Sequence, residues 1–178
     1  VVVVAGFQGM NEKGDITTLG RGGSDTTAVA LAAKLRGGCH IYTDVDGIYS
    51  VDPRLYKEAK KLDDISYEEM MEMASLGAGI MEPRAVEIGC KYQIPIYVAS
   101  SQHDTTGTTI RGVDHNMEEN VITGLSISDD VLMVTISNLE FKVENIAIVF
   151  EKLAEANINV DMISQTGPIN GIVNLSFT

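Results

Sequence analysis

The sequence predicts an α/β fold with a largely parallel sheet, followed by a smaller α+β segment. Short runs rich in Val, Ile and Tyr alternate with helix-forming stretches. Those runs are apolar nearly throughout rather than every second residue, as strands covered on both faces are. Over residues 101–119 the composition shifts to Thr, Gly, Asp and Asn, and a different pattern follows. The first domain is therefore expected to span 1–112 and the second 113–178.

Each element follows from local signals. Residues 1–5 are β-branched and predict a buried strand, with residues 6–9 as the turn after it. They lack the basic start and cleavage context of a signal peptide. Residues 10–14 are polar and predict a hairpin or a loop. Good helix formers run through Leu35, and Gly37-Gly38 is expected to stop that helix. Residues 39–43 read as a short strand, and Asp44 to Tyr49 and Asp52-Pro53-Arg54 as turns. Ser66 with Glu69 forms a capping box opening a helix whose core face is Met70, Met71, Met73, Ala74 and Leu76, ended by Gly77 and Gly79. Pro83 suits the first turn of a helix over 84–91, and residues 94–99 form the next strand. In the second part, residues 121–128 and 131–137 are strand-like, 143–156 is an amphipathic helix with Ile146, Val149, Phe150 and Leu153 on one face, and 160–164 and 171–177 are strands.

The composition bounds the function. With 44% hydrophobic and 21% charged residues, the 178-residue chain reads as an ordinary globular protein. A formal net charge of −12 argues against nucleic-acid and anionic-membrane partners. The two cysteines, Cys39 and Cys90, fit buried thiols in a reducing cytoplasm. His40, His103 and His115 have no partner at ligand spacing, so no metal site is expected. No stretch is apolar and long enough to span a bilayer. The chain begins without Met, inside an apolar run, and is expected to be a piece of a longer protein.

Two blocks carry chemistry. Thr17-Thr18-Leu19-Gly20-Arg21-Gly22-Gly23-Ser24-Asp25 precedes a helix. Glycines let the backbone approach a ligand, Arg21 supplies a fixed cation that can grip a carboxylate with two parallel bonds, and the helix start attracts anions. Ser24 and Asp25 could accept from an ammonium group or simply cap the helix, and both readings stay open. The second block is Ile41-Tyr42-Thr43-Asp44-Val45-Asp46-Gly47-Ile48-Tyr49-Ser50-Val51-Asp52-Pro53-Arg54, just beyond a strand's carboxyl end, where open α/β sheets bind ligands. A calcium loop fails there, because the glycine comes too early and the twelfth position would be Leu55. A plain Asp-Gly turn with solvent-facing carboxylates is the alternative.

In order and in residue types, these two blocks resemble those of the aspartokinases, within the amino-acid kinase superfamily. Phe7, the segment around Leu76-Gly77-Ala78 and residues 97–110 extend the resemblance over almost the whole chain. It implies an amino-acid-kinase-type sheet with flanking helices, incomplete here and formed by the C-terminal half of the kinase domain. A ferredoxin-like ACT regulatory segment follows, also incomplete. The implied reaction is phosphoryl transfer from ATP, carried with Mg2+, to the β-carboxylate of L-aspartate at the start of lysine, threonine and methionine biosynthesis. The resemblance implies that Arg21 holds the substrate α-carboxylate, that Ser24 and Asp25 orient the amino end, and that Phe7 walls the pocket. Gly22 and Gly23 let the backbone close in. Thr43, Asp44, Tyr49 and Arg54 would hold the nucleotide. It also implies a lysine or threonine effector at the ACT segment, and a homo-oligomer. The catalytic lysine is expected upstream of Val1, so this chain alone would be inactive.

Departures from the family pattern are Gly79 where a lysine is usual, Glu82 where a histidine is common, and Phe141-Lys142-Val143-Glu144 where the ACT helix usually opens on Pro-Gly. Gly79 in place of a cation, with the family's phosphate loop expected upstream of Val1, gives weight to an alternative, a non-catalytic regulatory, amino-acid-binding or dimerising module derived from an aspartokinase, while the altered ACT helix start counts against its effector pocket.

Overall fold

A computed structural model describes residues 1–77, 79–113, 122–128 and 131–178. The chain divides into two compact units, Val1–Ile127 and Ser128–Thr178. The composition shift near Gly112 therefore precedes the structural division.

The first unit opens with a hairpin. Strands β1 (Gln8–Met10) and β2 (Ile16–Thr18) pair antiparallel, with Gln8 opposite Thr18. Asn11 closes the turn through its side-chain oxygen, which accepts from the N–H groups of Lys13 and Asp15, each at 2.9 Å. Helix α1 (Gly23–Leu35) follows at once. Its N-cap is Gly22, left-handed at φ 67°, and no side chain among the described residues caps it; Ser24 and Asp25 lie inside the first turn instead. The helix stops where glycines predicted it to, but the left-handed residue is Arg36, whose N–H and that of Gly37 reach back to the last carbonyls.

Strands β3 (Cys39–Thr43), β4 (Asp64–Ser66), β5 (Ile96–Ser100) and β6 (Thr108–Arg111) form one sheet in the order β3-β5-β6-β4. β3 and β5 run parallel, as do β4 and β6, while β5 and β6 run antiparallel across their short connection. The sheet is thus mixed, as a short link between neighbouring strands requires. Helices α2 (Tyr67–Ser75) and α3 (Pro83–Tyr92) pack on each other, and α1 packs on α3. Between helices and sheet lies a core of fully buried Val29, Ile48, Ile65, Met70, Val86, Ile96, Val98 and Ile110. Each such side chain contributes roughly 1.5–3 kcal/mol when removed from water.

The predicted capping box is present. Ser66 accepts from the N–H of Glu69 at 3.1 Å, and the Glu69 carboxylate accepts from the Ser66 N–H at 3.0 Å. Burial opposes ionisation of Glu69, but hydrogen bonds from Thr123 and Ser66 outweigh it and hold its carboxyl below the usual range. Glu69→Ala is expected to lower unfolding stability by about 1–2 kcal/mol. The folded-state value is the lowered one. This contribution is therefore fully present above the ordinary glutamate value near ~4.3 and disappears as pH falls through the folded value. Urea unfolding from neutral to acid pH checks both, and the stabilities of parent and variant should converge on acidification.

Two predicted strands differ. Residues 1–5 are not a strand: Val1, Val2, Val3 and Val4 are exposed and pair with no strand among the described residues. An apolar β-branched run needs a partner ladder to become a strand. Of the run 121–128, the described residues 122–128 form no strand either. They are tied down singly: Leu125 N–H to the Ser50 carbonyl at 2.7 Å, Ser126 Oγ to the Leu76 carbonyl at 3.0 Å, and Thr123 to Glu69.

The second unit holds β7 (Val134–Glu140), α4 (Val143–Glu155), β8 (Ile163–Gln165) and β9 (Ile172–Phe177). The order along the chain is the predicted β-α-β-β, with β7 and β8 beginning later than expected. The sheet is antiparallel in the order β7-β9-β8, so the first strand lies beside the last. Val173, Leu175 and Phe177 alternate inward from β9, and the Phe177 ring meets Phe150 of α4 edge-on at 5.9 Å. Ile146, Val149, Phe150 and Leu153 are the half-buried apolar positions of α4, as the periodicity predicted.

Candidate functional site

A cleft of about 650 Å³ opens beyond the carboxyl ends of the parallel strands β3 and β5. Thr43 ends β3, and its carbonyl accepts from the N–H and Oγ of Ser101 just past β5, at 2.8 and 3.0 Å. The two strand ends are thereby locked together beneath the cleft. Arg21, Thr43, Asp44, Tyr49 and Arg54 all line it. Loop 44–54 supplies most of the wall and is braced internally. Thr43 Oγ1 donates to Asp44 at 3.0 Å, and Tyr49 OH donates to Asp46 at 2.9 Å. Burial and the neighbouring Asp46 carboxylate push the Tyr49 hydroxyl up from its ordinary value. Arg54 makes a double contact to Asp52, with Nη2 at 2.7 Å and Nε at 3.1 Å, and this pairing holds the Asp52 carboxyl below its usual range.

The remaining candidates surround the start of α1 and do not line the cleft. The Phe7 carbonyl accepts from Leu19 N–H at 2.9 Å and its N–H donates to Thr27 Oγ1 at 3.3 Å, which seats the residue on the helix start beside Gly23. Gly22 and Gly23 carry the turn into α1, closed by Gly23 N–H to the Gly20 carbonyl at 3.0 Å. Ser24 is exposed and Asp25 half-buried. Burial raises the Asp25 carboxyl, and the Glu82 charge raises it further, against hydrogen bonds from Ser24 and the Glu82 backbone. The structure therefore brings Arg21 together with the second block and leaves Phe7, Gly22, Gly23, Ser24 and Asp25 on the helix side of Arg21.

Residues that motif reasoning passed over also line the cleft, among them Asp46, Asp52, Gly77, Ile80 and His103. His103 follows β5, and the rule that ligands gather at strand carboxyl ends was the signal for it. Lys61 reinforces the wall from below: its ammonium donates to the Thr106 carbonyl at 2.5 Å and lies 3.7 Å from Asp46. Two guanidinium groups, a hydroxyl, a phenol and three carboxylates in a cleft of this size suit a polar ligand with anionic and hydroxyl-bearing parts. A larger groove of about 880 Å³ runs between α1 and α3, and none of the candidate residues lines it.

The family model described as "Amino acid kinase family" matches residues 1–100. An aspartokinase of Geobacillus stearothermophilus is 47% identical over the whole chain, which covers 44% of that relative. Aspartokinase 2 of Bacillus subtilis is 52% identical over 93% of the chain, 41% of its own length. Among solved structures, E. coli aspartokinase III in complex with aspartate and ADP superimposes on 97% of the chain with a TM-score of 0.72 at 35% identity, over 38% of its own length. The same protein with lysine and aspartate gives 0.73 at 36%, over 39% of its length. The chain thus spans less than half the length of these relatives.

Proposed function

The chain belongs to the amino acid kinase family, and we propose that the whole protein carrying it is an aspartate kinase, transferring the γ-phosphoryl group of ATP to the β-carboxylate of L-aspartate. The observation that carries this reading is one cleft joining Arg21 of the first block to Thr43, Asp44, Tyr49 and Arg54 of the second. Relatives named aspartokinase over the full chain support it, as does the aspartate and ADP held by the E. coli enzyme.

The chemistry follows from the charges. The acceptor is a carboxylate with a reference value near ~4, already ionised at neutral pH, so no base is needed to make the nucleophile. Catalysis is then positioning and charge neutralisation. Arg21 grips the α-carboxylate, Ser24 and Asp25 face the ammonium group, and Phe7, Gly22 and Gly23 shape that side. Thr43 and Asp44 meet ribose and base edges, Tyr49 bounds the base, and Arg54 faces phosphate. Mg2+ arrives with the nucleotide.

Residues 1–112 form the C-terminal half of the kinase domain on this reading, and 113–178 an ACT segment. Lysine in the E. coli structure supports an amino-acid effector there, lysine or threonine. The protein works as a homo-oligomer in the cytoplasm. The test is ADP release by the whole protein with L-aspartate or L-glutamate as acceptor. Aspartate-dependent release is expected; release with glutamate alone, or with neither, overturns the reading.

Gly79 offers a second check on the nucleotide side. It lines the cleft, and a Cβ there would meet nothing within 4 Å among the described residues. The Cβ of a lysine therefore has room there, and its ammonium adds a cation on this wall of the cleft. Gly79→Lys is expected to tighten ATP about fivefold at low salt, ~1 kcal/mol, with the gain shrinking as ionic strength rises. Titration with a fluorescent ATP analogue reads this directly. Unchanged affinity at low salt would remove Gly79 from the nucleotide side.

A further inference from the structure

We propose that Glu82 and Arg84, at the start of α3, are positioning residues that hold the Arg21 turn in place for the amino-acid substrate; the inference rests on the aspartate kinase reading. Arg21 sits on a turn with little internal support. Gly20 and Gly22 are both left-handed, at φ 80° and 67°, and among the described residues a single backbone hydrogen bond, Gly23 to Gly20, closes it. The Arg21 side chain is exposed and makes no ion pair among the described residues.

The support comes from far along the chain. Arg84 Nη2 donates to the Arg21 carbonyl at 3.2 Å, while its Nε donates to Glu82 Oε1 at 3.0 Å. Glu82 in turn fills the space against Gly22: a Cβ built on Gly22 would lie 2.6 Å from both Cβ and Oε2 of Glu82. The Glu82 side chain is only 20% exposed, so its charge is answered mainly by Arg84. The Glu82 charge also bears on the half-buried Asp25 carboxyl at the start of α1 and raises it. One short segment thus touches the turn at Arg21 and Gly22.

The chemistry needs this arginine. Two acceptors are served by two different nitrogens of one planar fork, which a single ammonium cannot reproduce. Without Arg84, the Glu82 carboxylate faces Gly22 and Asp25 uncompensated, and like charges push the turn outward. Neither residue needs to touch substrate for this; the effect passes through Arg21.

The experiment measures KM for aspartate and for ATP separately in the whole protein. The variants are Arg84→Ala, Arg84→Lys, Glu82→Gln, Arg21→Ala and Arg21→Ala with Arg84→Ala. Arg84→Ala is expected to raise the aspartate KM about tenfold and to leave the ATP KM within about twofold, with Arg84→Lys recovering little. Glu82→Gln keeps the acceptor for Arg84 and should stay within about threefold of the parent. The deciding result is coupling. In the Arg21→Ala background, loss of Arg84 should add less than about twofold, because the two act in series. Full additivity, equal rises for both substrates, or an Arg84→Lys enzyme indistinguishable from the parent would each overturn the inference. If Arg21→Ala raises the aspartate KM and Arg84→Lys and Arg84→Ala do not, this inference alone fails. If Arg21→Ala itself leaves that KM unchanged, the aspartate reading fails and takes this inference with it.

Discussion

Replacing Arg21 by alanine in the whole protein should raise the KM for L-aspartate at least about tenfold while the KM for ATP stays within about twofold. The size follows from the bond type. Charge-assisted hydrogen bonds contribute ~1.5–3 kcal/mol each, and tenfold corresponds to ~1.4 kcal/mol, so loss of even one arm of a bidentate grip reaches it. The selectivity follows from the layout of the cleft, where Arg54 provides a separate cation on loop 44–54. Arg21→Lys keeps the charge but loses the fork, and its KM should fall between parent and alanine. Steady-state kinetics with each substrate varied in turn decide the matter. Equal rises for both substrates would move Arg21 to the nucleotide side.

A second large effect concerns the fold. Gly107 is buried at the edge of β6, and its N–H donates to Tyr97 OH at 2.6 Å. A Cβ there would overlap the Val98 carbonyl oxygen and lie 2.9 Å from Ala99 Cβ. The obstructing oxygen is backbone of the central strand β5, so it cannot swing aside without breaking the pairing of Val98 with Thr108. Gly107→Ala should therefore cost about 2–3 kcal/mol or more, lowering the melting temperature by roughly 6–12 °C. Gly37→Ala is the control: among the described residues nothing lies within 4 Å of a Cβ at that position. It should change stability by less than about 0.5 kcal/mol. Similar melting temperatures for the two variants would contradict the packing described at Gly107.

Signals that act within a few residues were legible in the sequence. Ser66 and Glu69 cap α2 because both partners lie on one turn, and Pro83 starts α3 because its ring geometry suits the first turn. The strands 39–43 and 94–99 were legible because β-branched and aromatic residues fit a pleated surface wherever it lies. Pairing was not legible. Residues 1–5 have the composition of a buried strand, yet strand status depends on a partner ladder that composition does not supply. Residues 122–128 look equally strand-like and are held instead by Ser50, Leu76 and Glu69, contacts long in sequence. At the site, the residue types of both blocks were readable. That Arg21 shares a cleft with Tyr49 and Arg54 was not, since that depends on how the start of α1 lies relative to the ends of β3 and β5. Ser24 and Asp25 look like caps on paper, but the left-handed Gly22 takes the capping position and puts them at the second and third positions of the helix.

Arg54 faces the cleft already occupied. Its guanidinium is 89% exposed, with Nε and Nη2 bonded to Asp52, a third exposed beside it, and Nη1 bonded to none of the described residues. On the proposed nucleotide role, a phosphate approaching Nη1 meets a cation already partly neutralised by a resident carboxylate. The net gain is then smaller than from an unpaired guanidinium, and the affinity depends on salt less steeply than the count of cations implies. Asp52 also keeps the guanidinium aimed before any phosphate arrives. Removing Asp52 would abolish neutralisation and alignment together, two changes that act on affinity with opposite signs.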